Sequence, residues 1–266
     1  MHFVPINFSG PGFNPAYTAD FELVILLNTT TFSYAVRHPA THRLVRLSTG
    51  HLHNQLFDQQ QNALFAASNY ENVIIASDTN SFCLIPDAVF TPENLADFAV
   101  FLSVKEADLI LTDQIENGKN IVILTLPENL VEQVQLKYPS AKIQFAPKSW
   151  IKTVLEEKVP GQNLYLFLEE KSIKILFADQ ESIRFYNQFA ISTTDELVYF
   201  TALVADQLNL KPEETSLLIC GNVADQSREM LRLQEFFKEV KLFGKNDFDQ
   251  KNELHYHQVI QFLGLN

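Results

Sequence analysis

Residues 163–191, NLYLFLEEKSIKILFADQESIRFYNQFAI, alternate apolar and polar side chains and break twice, at Glu169–Glu170 and at Asp179–Gln180. Period-two alternation interrupted by polar pairs predicts a three-stranded antiparallel meander. Residues 192–210, STTDELVYFTALVADQLNL, switch to a helical period that puts Leu197, Phe200, Val204 and Leu208 on one face. Ser192-x-x-Asp195 and Thr193-x-x-Glu196 are capping signatures for that helix. Residues 215–223, TSLLICGNV, return as a short apolar strand of the kind buried on both sides, with a turn at Gly221. Meander, crossover helix and buried strand make one α/β folding unit.

The residues before this stretch repeat its order. Phe21 to Ala35 is strand-forming, and LVRLSTGHL (residues 44–52) continues the pattern after a turn around His38–Thr41. A polar helix is predicted for Asn54–Ala67, a buried strand for NVIIAS (72–77), and a further extended piece for SFCLIPDAVF (81–90). Thr91 reads as an N-cap with Pro92 at the first helical position, and Leu95, Phe98 and Leu102 give that helix an apolar face. Asn117–Gly118 marks a hairpin turn. A helix over Pro127–Tyr138, a short strand AKIQFA (141–146) and a helix over Trp150–Glu157 follow. Lys158-Val-Pro-Gly-Gln162 is the boundary signal, dividing the chain into 1–158 and 159–266. Beyond the central stretch, Asp225 to Val240 is predicted as one helix, with Met230, Leu233, Phe237 and Val240 on a shared face. KLFG (241–244) is a candidate strand, KNDFDQKNE (245–253) a charged loop, and Leu254–Leu265 a terminal element. A repeated order of meander, helix, buried strand and helix favours two similar subdomains facing each other across a cleft.

Composition narrows the function classes. With 266 residues, 46% apolar and 22 of them Phe, the chain can bury a full core. A net charge of −12 and a pI near 5.0 argue against a nucleic-acid surface, which needs clustered Lys and Arg, and against docking on anionic lipid. No uncharged apolar run approaches the ~20 residues that span a bilayer, and MHFVPINFSGPGFNPAY lacks the basic start and apolar stretch of a secretory signal. Cys83 and Cys220 sit among apolar neighbours without motif spacing, so free buried thiols are expected. These totals predict an acidic cytoplasmic protein without membrane insertion.

Asn187-Gln-Phe, Asp195-Glu-Leu-Val-Tyr-Phe, Asp206-Gln-Leu and Leu218-Ile-Cys-Gly-Asn-Val together resemble an uncharacterised family of Bacteroidetes proteins with an actin-like ATPase-type fold. That ribonuclease-H-like fold is shared by sugar kinases, heat-shock chaperones and pilus-assembly proteins. Asp87-Ala-Val-Phe and the run from Pro139 to Trp150 are similar more loosely. The resemblance implies a site for ATP and magnesium between the halves, wrapped by Asp- and Gly-rich hairpins. Here the first such turn reads Leu26-Leu-Asn28-Thr-Thr-Thr31 and the second Leu168-Glu-Glu-Lys171, neither with a glycine. Turns whose residues all carry a Cβ cannot easily bring their amides close to phosphate. Of the 8 glycines only Gly221, in Cys220-Gly221-Asn222, falls where the fold contacts adenosine.

The leading expectation is therefore a non-enzymatic binding or scaffolding protein with a degenerate nucleotide cleft and a protein partner, using no cofactor. The alternative is a nucleotide-binding protein or weak ATPase that holds ATP and Mg through Asn28, Thr29, Thr30, Glu169, Glu170, Gly221 and Asn222. A small-molecule binder with an apolar cleft is a third reading. His51 with His53, and His255 with His257, stand two apart as strand-borne metal ligands might, but no third ligand follows at a recognisable spacing, so no metal site is expected. Phe236 and Phe237 with Leu233 read as core, with a partner surface as the other reading. Tyr186–Asn187 reads as a turn closing the meander.

Overall fold

The computed structural model describes residues 6–10, 13–28, 31–52, 69–179, 182–244 and 254–265. The predicted helix over Asn54–Ala67, the charged loop over 245–253 and His53 lie outside them. The chain forms two compact units. The first holds the described residues up to Ser149 and those from Phe262 onward, and the second holds Trp150 to Gln261.

The first unit opens with Asn7–Ser9 (β1) and a meander of Glu22–Asn28 (β2), Thr31–Arg37 (β3) and Leu44–Leu52 (β4), followed by Asn72–Asp78 (β5). A three-stranded insertion comes next: Phe82–Pro86 (β6), a short helix Leu95–Ala99 (α1), and the hairpin Asp108–Ile115 (β7) to Asn120–Pro127 (β8). Glu128–Lys137 (α2) and Ile143–Phe145 (β9) complete it. The main sheet has the order β1-β4-β3-β2-β5-β9, with β5 parallel to β2 and β9 parallel to β5. Leu23, Ile25, Leu27, Phe32, Tyr34 and Val36 pack on Leu130 and Val134 of α2 and on Tyr138, which caps its C-terminal end. Each such buried aliphatic or aromatic side chain stabilises the fold by about 1.5–3 kcal/mol. The insertion has its own small core of Ile85, Leu102, Ile121 and Ile123, backed by Leu95 and Phe98. Asn117, at φ 55° in the β7–β8 turn, adopts the left-handed conformation that made it a turn signal.

The second unit runs Lys148–Glu157 (α3, which starts in the first unit), Asn163–Leu168 (β10), Ser172–Ala178 (β11), Ile183–Ala190 (β12), Thr194–Gln207 (α4), Ser216–Gly221 (β13), Arg228–Gln234 (α5), Glu239–Leu242 (β14) and Tyr256–Leu263 (α6). Its sheet order, β12-β11-β10-β13-β14, repeats β4-β3-β2-β5-β9 strand for strand, with the same antiparallel and parallel pairings. Alternation explains the layering. Leu164, Leu166, Leu168, Ile173 and Ile175 share a core with Leu197, Val204, Met230 and Leu233 of the two helices. Tyr165, Phe167 and Lys174 take the other face, where Trp150 meets Phe167 and Tyr186, and Tyr165 meets Phe243. The capping box forms at Thr193, whose Oγ1 accepts the Glu196 amide at 3.1 Å while the Glu196 carboxylate accepts the Thr193 amide at 3.1 Å. Such a cap stabilises a helix end by ~1 kcal/mol.

Two local expectations are corrected. The helix after Gly221 covers Arg228–Gln234 only, and Val240 lies in β14, paired in parallel with Leu217 of β13. Phe237 and Val240 still enter the same core as Met230 and Leu233, so a helical spacing was satisfied by a helix followed by a strand. Tyr186 and Asn187 sit within β12 opposite Leu176 and Ile175, not in a turn, because the meander's last strand runs on to Ala190.

The last residues join the first unit through Arg37. Its side chain is 1% exposed, and its guanidinium donates to the carbonyls of Phe262, Leu263 and Leu265 at the C-terminal end of α6 and pairs with Glu22 at 2.9 Å. His42 adds a ring N–H to the Leu263 carbonyl. These carbonyls have no partner within the helix, so a forked cation that binds several at once closes the helix end. Burial lowers the Arg37 pKa, with Glu22 acting against that shift.

Candidate functional site

Parallel pairing of β10 with β13 sets Leu168 opposite Gly221, which brings the turn Glu169–Lys171 beside Gly221–Asn222. Four of the sequence-predicted residues, Glu169, Glu170, Gly221 and Asn222, thus lie at one end of one sheet. The turn is closed by the Glu169 amide on the Ser172 carbonyl at 2.9 Å.

The Glu169 carboxylate is engaged by its own hairpin. One oxygen accepts from Lys174 Nζ at 2.6 Å and the other from Ser172 Oγ at 2.6 Å, while Gln188 Nε2 donates to Ser172 Oγ at 3.3 Å. The Lys174 side chain is 0% exposed and Glu169 is 21% exposed. Nζ also lies 5.1 Å from the centre of the Phe167 ring. An ammonium taken wholly out of water needs a counter-ion, and Glu169 supplies it. The sequence LEEKSIK placed a Lys five residues after Glu169, but only the pleat, which turns residue 174 inward, reveals the pair. Glu170 is exposed at the tip of the turn.

Gly221 has φ +92°, and a Cβ there would lie 2.1 Å from the Leu168 carbonyl oxygen and 2.8 Å from the Leu168 nitrogen. The cause is the chain's path: the Asn222 amide folds over to donate to that same carbonyl at 2.8 Å, and the Val223 amide bonds Gly221 O at 3.0 Å. Glycine is needed twice here, for backbone conformation and for close approach. The next carbonyl, Val223 O, accepts from Nε2 of His257 at 3.0 Å. His257 is buried and stacks on His255 at 5.4 Å between ring centres. Burial lowers the His257 pKa, the bond to Val223 opposing it and His255 adding to it. His257 therefore fastens the Gly221 turn to the start of α6.

In the first unit, Asn28 ends β2 directly opposite Asp78, the last residue of β5. Thr29 and Thr30 lie outside the described residues. Asp78 is 4% exposed and its neighbour Ser77 is 0% exposed. Asp78 was not among the sequence-predicted residues. The signal was a carboxylate at the carboxyl end of an apolar strand, the place where parallel sheets present ligand-binding groups. His51, the other histidine singled out, bonds Ser48 Oγ at 2.7 Å and stacks on Phe32 and Tyr34 in the sheet. No cluster of three or more His, Cys, Asp or Glu side chains able to hold a metal occurs among the described residues. Cys83 and Cys220 are free, and burial raises both thiol pKa values.

The residues present fit ATP poorly in the second unit. The hairpin turn carries a Cβ at every position, its Glu169 is held by Lys174, and the Asn222 amide next to the one glycine is already bonded to Leu168. The Glu169, Asn222 and Val223 amides are likewise committed to backbone carbonyls, those of Ser172, Leu168 and Gly221.

A meander whose first strand is joined in parallel by a crossover strand and then by a fifth, occurring twice in one chain, defines the actin-like ATPase class of fold. The β2–β3 and β10–β11 turns contain no glycine. The chain belongs to the family described as protein of unknown function (DUF3822), whose model matches residues 11–240. It is similar to a Bacteroides thetaiotaomicron protein with actin-like ATPase fold and unknown function, at 17% identity and TM-score 0.77, covering 87% of this chain and 93% of that one. It is similar also to a chain of the PilM–PilN type IV pilus biogenesis complex, at 11% identity and TM-score 0.59, covering 92% of this chain and 97% of that one. No curated protein matches the chain. Among the described residues no helix is long and apolar enough to cross a membrane.

Proposed function

We propose that this protein is a non-enzymatic binding or scaffolding member of the actin-like class, with degenerate nucleotide turns and a protein partner. The observation that carries this reading is the state of the second unit's turn. Its carboxylate serves a buried lysine, and its glycine is fixed against the Leu168 backbone. Groups that an ATPase would offer to phosphate and magnesium hold the sheet together instead. The acidic charge supports a protein rather than a nucleic acid as partner, and a cytoplasmic location. The similarity to a chain of the PilM–PilN complex is one of fold, and within that fold it supplies a precedent for assembly with another protein.

One observation favours a second reading, a nucleotide-binding protein or weak ATPase. Asp78 and Asn28 stand side by side at the carboxyl ends of parallel strands, where a buried carboxylate could serve a magnesium-bound ligand. Titration of the full chain with Mg-ATP, read by thermal unfolding and calorimetry, separates the two. The scaffold reading expects no heat of binding and no change in Tm. A rise of about 3 °C or more that Asp78→Asn removes would establish the second reading, since a ligand specific for the folded state raises stability by mass action.

A further inference from the structure

We infer that the insertion carried by the first unit is the docking surface, and that its partner is a protein segment with apolar anchors flanked by Lys or Arg. Among the large apolar side chains that the described residues leave exposed, Val89, Val100, Phe101 and Val104 are 54%, 75%, 76% and 42% exposed, and all fall between β6 and β7. Exposed large apolar side chains gathered in one segment of an acidic chain mark an interaction site. The face is held in place. Asn94 Nδ2 donates to the Val89 carbonyl at 2.9 Å, its Oδ1 accepts the Thr91 amide at 2.9 Å, and Asp108 accepts the Lys105 amide at 3.0 Å. The Phe101 and Leu102 amides close turns onto Phe98 and Ala99 at 3.1 and 3.0 Å, and Leu102 anchors the segment in the insertion's core.

Charge decides which occupant fits. Asp87, Glu93, Asp97 and Glu106 are exposed along this segment against one exposed cation, Lys105. Asp97 stands three residues before Val100 and four before Phe101, so on a helical turn it borders both. A second copy would bring the same carboxylates, and a net −12, against this face. An anionic lipid surface would be repelled likewise. A segment pairing apolar side chains with Lys or Arg buries the valines and phenylalanine and neutralises the rim.

This surface rests on the binding-protein reading above, and the experiment separates the two. The immobilised full chain is used to select from a random linear-peptide library. Enriched peptides are expected to combine apolar residues with Lys or Arg, to bind more weakly as salt rises, and to lose about tenfold or more in affinity with Val100→Ser/Phe101→Ser. That double substitution keeps the charge, and because both side chains are exposed it leaves the unfolding transition in place. Glu93→Lys/Asp97→Lys weakens the same peptides. Failure to enrich, enrichment of acidic peptides, or binding indifferent to the serine variant overturns the surface. A dimer that the serine variant dissolves overturns it in favour of a second copy. A Tm rise with Mg-ATP, by contrast, would remove the non-enzymatic reading while leaving the peptide result standing.

Discussion

Replacing Gly221 with alanine tests whether this glycine serves the sheet or a ligand. The added methyl would lie 2.1 Å from Leu168 O and 2.9 Å from Leu168 C, so it meets backbone that no rotamer change can move aside. Holding alanine at φ +92° costs about 1–3 kcal/mol. Forcing β10 and β13 apart adds about 1–3 kcal/mol of overpacking strain, and losing the Asn222-to-Leu168 hydrogen bond adds about 1 kcal/mol. Together these amount to about 3–7 kcal/mol, a large part of the ~5–15 kcal/mol that holds a typical domain folded. The assay is urea unfolding followed by tryptophan fluorescence. The chain has one Trp, and Trp150 is 0% exposed, against Phe167 of β10, so the signal reports on this unit. The loss is expected in the absence of any nucleotide and unchanged by Mg-ATP. A shift worth less than about 1 kcal/mol would refute the reasoning, because the glycine would then be free to serve a ligand.

Other outcomes follow from the buried charges. Glu169→Gln leaves the wholly buried Lys174 ammonium without its counter-ion and is expected to destabilise by about 3–5 kcal/mol, whereas Lys174→Met leaves a carboxylate that is already 21% exposed and costs less. The double substitution recovers most of the loss, as a denaturation double-mutant cycle will show. If the two single losses are equal and additive, the pair is not coupled as described. Arg37→Lys keeps the charge yet cannot reach three carbonyls at once, and is expected to release the end of α6, seen as faster amide exchange and an earlier urea midpoint. His257 has a folded pKa below its unfolded value of 6.5, so the unfolded chain takes up the proton first. Stability is therefore held above pH 6.5 and lost as pH falls below it. His257→Gln makes the urea midpoint less dependent on pH below 6.5, with a residual slope from His51, whose pKa burial also lowers.

Much of the fold was legible in the chain because it is written in short-range chemistry. Alternation over residues 163–191 specifies the meander, since a strand's side chains repeat every two residues and only one register buries Leu164, Leu166 and Leu168 together. Thr193 and Glu196 specify the start of α4, because a cap is satisfied within four residues. The repeat of that order in the first half was legible for the same reason. The span after Gly221 was not, because Phe237 and Val240 keep a helical spacing while pairing with β13 draws Glu239–Leu242 into a strand. Propensity yields to tertiary pairing there.

The candidate site divides along the same line. Sequence alone determined that its two hairpin turns carry no glycine. Only the tertiary structure decided what the remaining residues do. Glu169 meets Lys174 because the pleat turns that side chain into the protein, Gly221 is fixed because two distant strands approach to hydrogen-bonding distance, and Arg37 is occupied by carbonyls more than two hundred residues away. Local pattern sets which way a side chain points. Which partner waits there depends on segments brought together only when the whole unit folds.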